Sequence, residues 1–221
     1  MTGFLGRERE LAVLNRLLDR VAKGGRANRP GRALLIRGRR RVGKSRLVEE
    51  FVERAGVPSL FFTASAQPHV ATDLGLFTES VLASDLPGRD IVEGQMPTSW
   101  DAALRLLAAA LPADRPSVVV LDELPYLVAN DPGFEGTLQK AFDRELSRRP
   151  VLLLGIGSDL AKMEALNDYG RPFHQRASEM VVPPLTPADV ADMLGVEPAE
   201  AFDAYLVTGG LPLILDEWPE G

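Results

Sequence analysis

The sequence predicts an α/β fold: a parallel five-stranded sheet sandwiched by helices, followed by a small helical appendage. Three observations carry this expectation. Short apolar runs alternate with longer segments of helical periodicity. A glycine-bearing loop, Gly38 to Ser45, joins the first run to the helix behind it. A later run, Val118 to Leu121, ends in the acid pair Asp122-Glu123. Strands joined through crossing helices lie parallel, and the helices cover both faces of the sheet.

Taken in chain order, residues 7–22 place Leu11, Leu14, Leu18 and Val21 on one helical stripe. Residues 24–31, rich in glycine with Asn28 and Pro30, read as a loop. Ala33 to Arg37 is the first strand, and Ser45 to Arg54 a helix with Leu47, Val48, Phe51 and Val52 on one side. Ser59 to Thr63, short and aromatic, is the second strand. Thr72 to Ala83 reads as helix; Leu86 to Pro97, with two prolines and two glycines, as irregular chain. Trp100, Leu104, Leu107 and Leu111 have helical spacing behind Thr98 or Ser99 as a start. Val118 to Leu121 is a buried strand, Phe134 to Arg148 a helix, Val151 to Ile156 a further buried strand and Glu179 to Val182 a weak fifth. From Thr186 onward the pattern is helical, broken at Gly195, Pro198 and Gly209-Gly210.

The loop reads Gly38-Arg39-Arg40-Arg41-Val42-Gly43-Lys44-Ser45, two glycines separated by four residues and followed by Lys-Ser. That is the pattern of a phosphate-binding loop. Glycines let the backbone curl so that successive N–H groups face phosphate oxygens, Lys44 supplies a point charge, and the Ser45 hydroxyl is a hard oxygen ligand for Mg²⁺. Only Lys23, Lys44, Lys140 and Lys162 are lysine among 25 basic residues, so a lysine here is pointed. The residues assigned to the nucleotide are Gly38, Val42, Gly43, Lys44, Ser45 and Arg46; the side chains of Arg39, Arg40 and Arg41 are expected to face solvent.

An acid at the tip of an apolar strand downstream of such a loop holds Mg²⁺ or its water, which assigns Asp122 with Ser45 to the metal. Glu123 behind it can take a proton from the attacking water or orient it. Ser158 follows another apolar strand: it can contact the γ-phosphate or the water, or Ser158-Asp159 can cap a helix beginning at Leu160. Arg171 and Arg176 are the last arginines in the chain and the remaining candidates for charge stabilisation; the alternative is that both face solvent or pair with an acid such as Glu179. The strand at 59–63, between the loop and the acid strand in sequence, points to extra sheet members between those two.

Composition narrows the alternatives. There is no cysteine, which excludes disulfides and thiolate metal sites, and His69 and His174 have no ligand-like neighbours in sequence. The charged N-terminus is unlike a secretory signal, and no apolar run is long enough to cross a bilayer, so a cytoplasmic protein without membrane contact is expected. Net charge is −6, unevenly spread: all 25 basic residues lie at or before Arg176, and nine acidic ones follow it. That acidic stretch reads as a solvated helical face.

Taken together, these residues resemble the archaeal-type ATPase family, a branch of the STAND and AAA+ P-loop ATPases. The matching pieces are Phe4-Leu5-Gly6-Arg7-Glu8, the loop at 38–45, Leu121 to Leu127, Gly157-Ser158, Arg176-Ala177 ahead of Pro184-Leu185, and Thr208 to Pro212. The resemblance implies a P-loop NTPase core of the additional-strand, AAA+-like class over 1–185 and the start of a helical lid over 186–221. It implies that Phe4 to Arg7, with Leu5 and Arg7, lies against adenine. It assigns Ser158 as the sensor and Arg176 as a trans-acting or sensor arginine, which allows a homo-oligomer. Gln175 stands where the family usually carries glycine. Family members are commonly about twice as long, so a C-terminal effector domain beyond Gly221 is expected.

Three functions follow. The first is ATP binding and Mg²⁺-dependent hydrolysis, with Lys44, Ser45, Asp122, Glu123 and Arg176 in the roles above. The second is a nucleotide-dependent switch with little turnover, driving a C-terminal DNA- or partner-binding domain. The third is a DNA-binding ATPase like the origin-recognition initiators, suggested by 15 basic against 6 acidic residues in the first 54. No guanine-reading motif is present, and ATP rests on the resemblance.

Overall fold

Alternation along the apolar strands dictates how the sheet is covered. In the computed structural model, which describes residues 4, 6–24, 29–66 and 69–218, five strands form one sheet. The elements run α1 (Glu8–Ala22), β1 (Arg32–Arg37), α2 (Lys44–Ala55), β2 (Ser59–Thr63), α3 (Val70–Ala83) and α4 (Trp100–Ala110). Then come β3 (Ser117–Asp122), α5 (Leu124–Asn130), α6 (Phe134–Arg144), β4 (Val151–Gly157), α7 (Leu160–Ala165) and β5 (Ala177–Val181). Three helices close the chain: α8 (Pro187–Leu194), α9 (Pro198–Thr208) and α10 (Pro212–Leu215). The order is β2-β3-β4-β1-β5, all neighbours parallel. The strand between the loop strand β1 and the acid strand β3 is thus β4; β2, nearer in sequence, lies at the edge.

Successive strand side chains point to opposite faces. Leu34, Ile36, Val118, Val120, Leu152 and Leu154 pack with α1 and α2 on one face. Ala33, Leu35, Val119, Leu121, Val151 and Leu153 pack with α3 to α7 on the other. That second core carries an aromatic chain: Phe62 meets Phe77 edge-on at 5.2 Å, Phe77 meets Trp100 at 5.4 Å, and Trp100 meets Phe134 at 5.0 Å. Ser99 starts α4, its side chain accepting from the Ala102 amide, as helix entry requires.

Differences from the sequence reading have local causes. The helix expected over 134–148 ends at Arg144, and a single tight turn follows over 146–148. There Gly31 N–H donates to the Ser147 carbonyl, and a Cβ on Gly31 would stand 2.7 Å from Ser147 Cα. The close approach fixes that turn against the start of β1. Helix α5 has no counterpart in the sequence reading: at seven residues it is too short for periodicity to reveal, and Pro125 sits in its first turn, where proline is tolerated. The fifth strand begins two residues earlier than expected.

Helices α8 to α10 have a small core of their own, with Leu185, Val190, Ala201, Ala204 and Leu215 buried. Thr186 and Asp189 form a capping box at the start of α8. A pair of positive-φ glycines, Gly209 and Gly210, turns the chain after α9. Gly210 accepts from the Leu185 amide at 2.8 Å, and a Cβ on Gly210 would meet the Leu185 carbonyl at 2.2 Å. Gly210→Ala therefore combines left-handed strain with a backbone clash. It is expected to destabilise by about 1–2 kcal/mol or more, lowering the thermal midpoint by at least about 2 °C; circular-dichroism melts check this.

Candidate functional site

Strand register decides which side chains can meet. Arg37 pairs with Gly157 across β1 and β4, and Leu121 pairs with Gly155 across β3 and β4. The carboxyl ends of β1, β3 and β4 therefore finish level, and the residues that follow them share one edge of the sheet, where open α/β folds bind ligands. Glycines permit the close fit below that edge: a Cβ on Gly157 would stand 2.5 Å from Met163 Sδ and 2.7 Å from Pro125 Cδ.

The phosphate-loop residues lie there. Gly38 has no room for a side chain, since a Cβ would meet the Val182 carbonyl at 2.6 Å. Arg41 and Gly43 adopt φ 67 and 88, curling the loop into the amino end of α2. The first turn of α2 has no acidic residue of its own. Its unpaired N–H groups and positive dipole end are thus left for an anion. Lys44, only 6% exposed, donates to the Gly38 carbonyl at 2.9 Å and the Arg39 carbonyl at 3.1 Å. Burial lowers its pKa, opposed by the charges of Glu123 and Asp122.

Ser45 and Asp122, 77 residues apart, meet: the Ser45 hydroxyl donates to Asp122 Oδ2 at 2.8 Å. The other oxygen of Asp122 accepts from the Glu123 amide at 2.9 Å. Glu123 itself is left-handed, φ 52, at the start of α5. The Ser158 hydroxyl lies 3.2 and 3.3 Å from its two carboxylate oxygens. Of the two roles open to Ser158-Asp159, helix capping falls to Asp159, which accepts from the Lys162 amide at 3.0 Å. The Ser158 hydroxyl is turned to Glu123 instead.

A cavity of about 400 Å³ opens beside the loop. Its walls come from Phe4, Arg7, Arg41, Gly43 and Arg46 on one side and Leu185, Met193, Leu213 and Asp216 on the other. Arg46 is mostly exposed and forms ion pairs with Glu49 at 3.6 Å and Glu50 at 3.4 Å. Val42 lines the cavity, but its side chain is fully buried in the core against α1 and α2. The Arg7 guanidinium reaches the same region with its donors engaged by two carbonyls, Val42 at 2.9 Å and Pro183 at 2.6 Å. Leu5 lies outside the described residues.

Arg176 stands apart from this cluster. It precedes β5, whose Ala177 pairs with Ala33 at the amino end of β1. Arg176, one residue further back, therefore lies about 16 Å along the strand from Arg37, beyond the reach of an arginine side chain. Its Nε donates to Asp143 at 3.0 Å, and Nη1 donates to the Pro172 carbonyl at 2.9 Å. Arg171 pairs with the buried Glu135, so α6 holds both arginines of the segment before β5. Burial raises the Glu135 pKa and the Arg171 charge opposes it. Gln175 takes φ 61, the left-handed conformation for which glycine is the natural residue.

The residues present fit a magnesium ion. Among the described residues no three His, Cys, Asp or Glu side chains are grouped as a metal cage. Ser45 and Asp122 offer one hydroxyl and one carboxylate, the sparse hard-oxygen set that suits Mg²⁺ completed by water and phosphate oxygens. Sequence reasoning missed the far wall of the cavity, Met193, Leu213 and Asp216, since packing of the C-terminal helices on the core leaves no local signal. It also missed both carboxylate partners of the late arginines, Glu135 and Asp143.

Against known proteins, the AAA ATPase domain family matches residues 3–154. No curated protein matches in sequence. Among solved structures, the Walker-type ATPase PABY2304 of Pyrococcus abyssi is similar, with a TM-score of 0.64 and 20% identity over 96% of this chain and 65% of that one. The ORC1 protein of Aeropyrum pernix in complex with DNA gives 0.58 and 23% over 90% and 50%. Drosophila ORC bound to DNA gives 0.61 and 15% over 96% and 52%. At such identities these likenesses show the fold, and this chain spans about two-thirds or less of their lengths.

Proposed function

This chain belongs to the AAA ATPase domain family, and from that premise we propose that it binds ATP with Mg²⁺ and hydrolyses the terminal phosphoryl group. The observation that carries this reading is the Ser45–Asp122 contact at 2.8 Å, with Lys44 and Glu123 at the same sheet edge. Residues 1–185 form the catalytic core and the helices from 186 onward the lid, since they close the far side of the cavity. The cavity's volume suits a base and ribose.

In this reading the amides of the loop and of the α2 amino end hold the phosphates, with Gly38 and Gly43 allowing the backbone to approach them. Lys44 exchanges its two carbonyl partners for phosphate oxygens. Ser45 and Asp122 would hold Mg²⁺, which when bound neutralises charge on the β- and γ-oxygens. The Glu123 carboxylate orients the attacking water and takes its proton. Ser158 positions that carboxylate. Arg176, unable to reach its own site, serves the site of a neighbouring copy, where its charge would meet the developing negative charge.

A second reading, a switch with little turnover, is favoured by one feature. Arg176 is paired with Asp143, so a charge that turnover needs is engaged elsewhere in the single chain. Calorimetric titration with Mg·ATP and a phosphate-release assay test both readings. Binding with release supports hydrolysis, binding without release supports the switch, and no binding removes both. Ser158→Ala is expected to lower kcat by about tenfold, the worth of one hydrogen bond in the transition state, with KM within about twofold. Steady-state kinetics check the split.

A further inference from the structure

One side chain ties together three segments that the sequence holds far apart. Gly6 and Arg7 are successive left-handed residues, φ 71 and 68, and the turn they make sends the Arg7 side chain inward ahead of α1. Arg7 is 8% exposed. Nη2 donates to the Val42 carbonyl in the phosphate loop, and Nη1 donates to the Pro183 carbonyl in the strap between β5 and α8. Two acids face it: Glu10 of its own helix, 3.6 Å from Nη1, and Asp189 of α8. Asp189 comes close enough that a Cβ on Gly6 would stand 3.2 Å from its Oδ1.

The Val42 bond constrains the loop. In a trans peptide the C=O and the following N–H point in opposite directions. A Val42 carbonyl held by Arg7 therefore aims the Gly43 N–H away from Arg7. The Pro183 bond constrains the strap, whose neighbours are also fastened: Val182 N–H donates to the Arg37 carbonyl at 2.8 Å, and Leu185 N–H to the Gly210 carbonyl at 2.8 Å. A guanidinium is a planar fork of fixed geometry, so a shift of one carbonyl is felt at the other.

We propose that Arg7 is a positioning residue that couples occupancy of the phosphate loop to the orientation of the C-terminal helices, through its paired bonds to Val42 and Pro183 and the facing Asp189. This rests on the nucleotide-binding reading above. Any ligand filling the cavity touches both of its walls, and Arg7 fixes the relation between them. The role is separate from any contact with adenine: it uses the two N–H groups that Val42 and Pro183 accept, out of the five a guanidinium carries.

The cysteine-free sequence allows one pair of engineered cysteines, at the exposed positions Glu53 on α2 and Ala199 on α9. Spin labels there report their separation by pulsed electron resonance, without ligand and with saturating Mg²⁺ and a non-hydrolysable ATP analogue. A fluorescent ATP analogue gives affinity in parallel. The parent chain is expected to bind and to shift its distance distribution. Arg7→Gln is expected to bind about tenfold more weakly, from loss of a charge-assisted bond, and to show no shift at saturation. Arg7→Lys keeps the charge but reaches one carbonyl at a time; it is expected to restore affinity to within about threefold without restoring the shift. Should Arg7→Gln fail to fold, Asp189→Asn replaces it, keeping the capping oxygen while removing the facing charge, and is expected to shrink the shift. A full shift in Arg7→Lys, Arg7→Gln or Asp189→Asn overturns the coupling role, as does a parent chain that binds without shifting. A parent chain that does not bind the analogue instead brings down the nucleotide reading, and the coupling with it.

Discussion

Glu123→Gln is expected to lower ATP turnover by about a hundredfold or more while leaving nucleotide affinity within about twofold. The substitution keeps the size of the side chain and an oxygen able to accept from Ser158, whose hydroxyl lies 3.2 Å from the native carboxylate. It removes the capacity to take a proton. A positioned general base contributes about 10²–10⁴ to rate, which sets the size of the loss. Affinity is expected to hold because the groups assigned to the phosphates and to Mg²⁺, Lys44, Ser45 and Asp122, are untouched. Stability is expected to hold as well, since glutamine at φ 52 is no more strained than glutamate. Single-turnover phosphate release, with enzyme in excess over Mg·ATP, measures the step directly. If parent and variant release phosphate equally slowly with ATP bound, the switch reading displaces hydrolysis.

What could be read from the sequence follows from how far each interaction reaches along the chain. The loop was legible because its chemistry is local: Gly38, Gly43, Lys44 and Ser45 lie within eight residues and carry their own reasons. Asp122 and Glu123 were legible because an acid ending an apolar strand is conspicuous beside such a loop. Fold class followed from alternation, and helix faces from spacing; Leu11, Leu14, Leu18 and Val21 are all buried as their stripe required. The strand order was only partly legible. Nothing local says that β4, some 30 residues beyond the acid pair, inserts between β1 and β3, although that insertion brings Ser158 to Glu123. The bonds of Arg7 span 35 and 176 residues, and no periodicity encodes them. Arg176 was found as one of the last two arginines in the chain, and the resemblance singled it out, but its carboxylate on α6 was not found, because Asp143 reads as one polar position among several on a helical face. Gln175 stood out in the sequence only as a departure from the glycine usual in the family it resembles; that it is left-handed, φ 61, shows only in the backbone.

Lys44→Ala is expected to weaken Mg·ATP binding by about a hundredfold or more and to abolish measurable turnover with it. The ammonium is the one lysine in the loop, and at 6% exposure it is largely withdrawn from water. Its two carbonyl partners keep the loop open in register: Gly38 and Arg39 point their carbonyls at Nζ, leaving their neighbouring amides free to face the other way. When phosphate oxygens take over those bonds, neutral acceptors are exchanged for charged ones, each worth about 1.5–3 kcal/mol. Two such contacts at the lower bound amount to about a hundredfold in affinity. Burial sharpens the effect, because it lowers the lysine pKa and so makes the bare loop a poor host for the charge; a phosphate tail relieves that penalty. Lys44→Arg is expected to recover little, since a planar fork cannot occupy the space of a compact ammonium between those two carbonyls. Calorimetric titration with Mg·ATP, run beside thermal melts that show the variant folded, measures the loss. An affinity within about threefold of the parent would mean that the loop holds its anion through main-chain amides alone, and the assignment of Lys44 to the phosphates would fall.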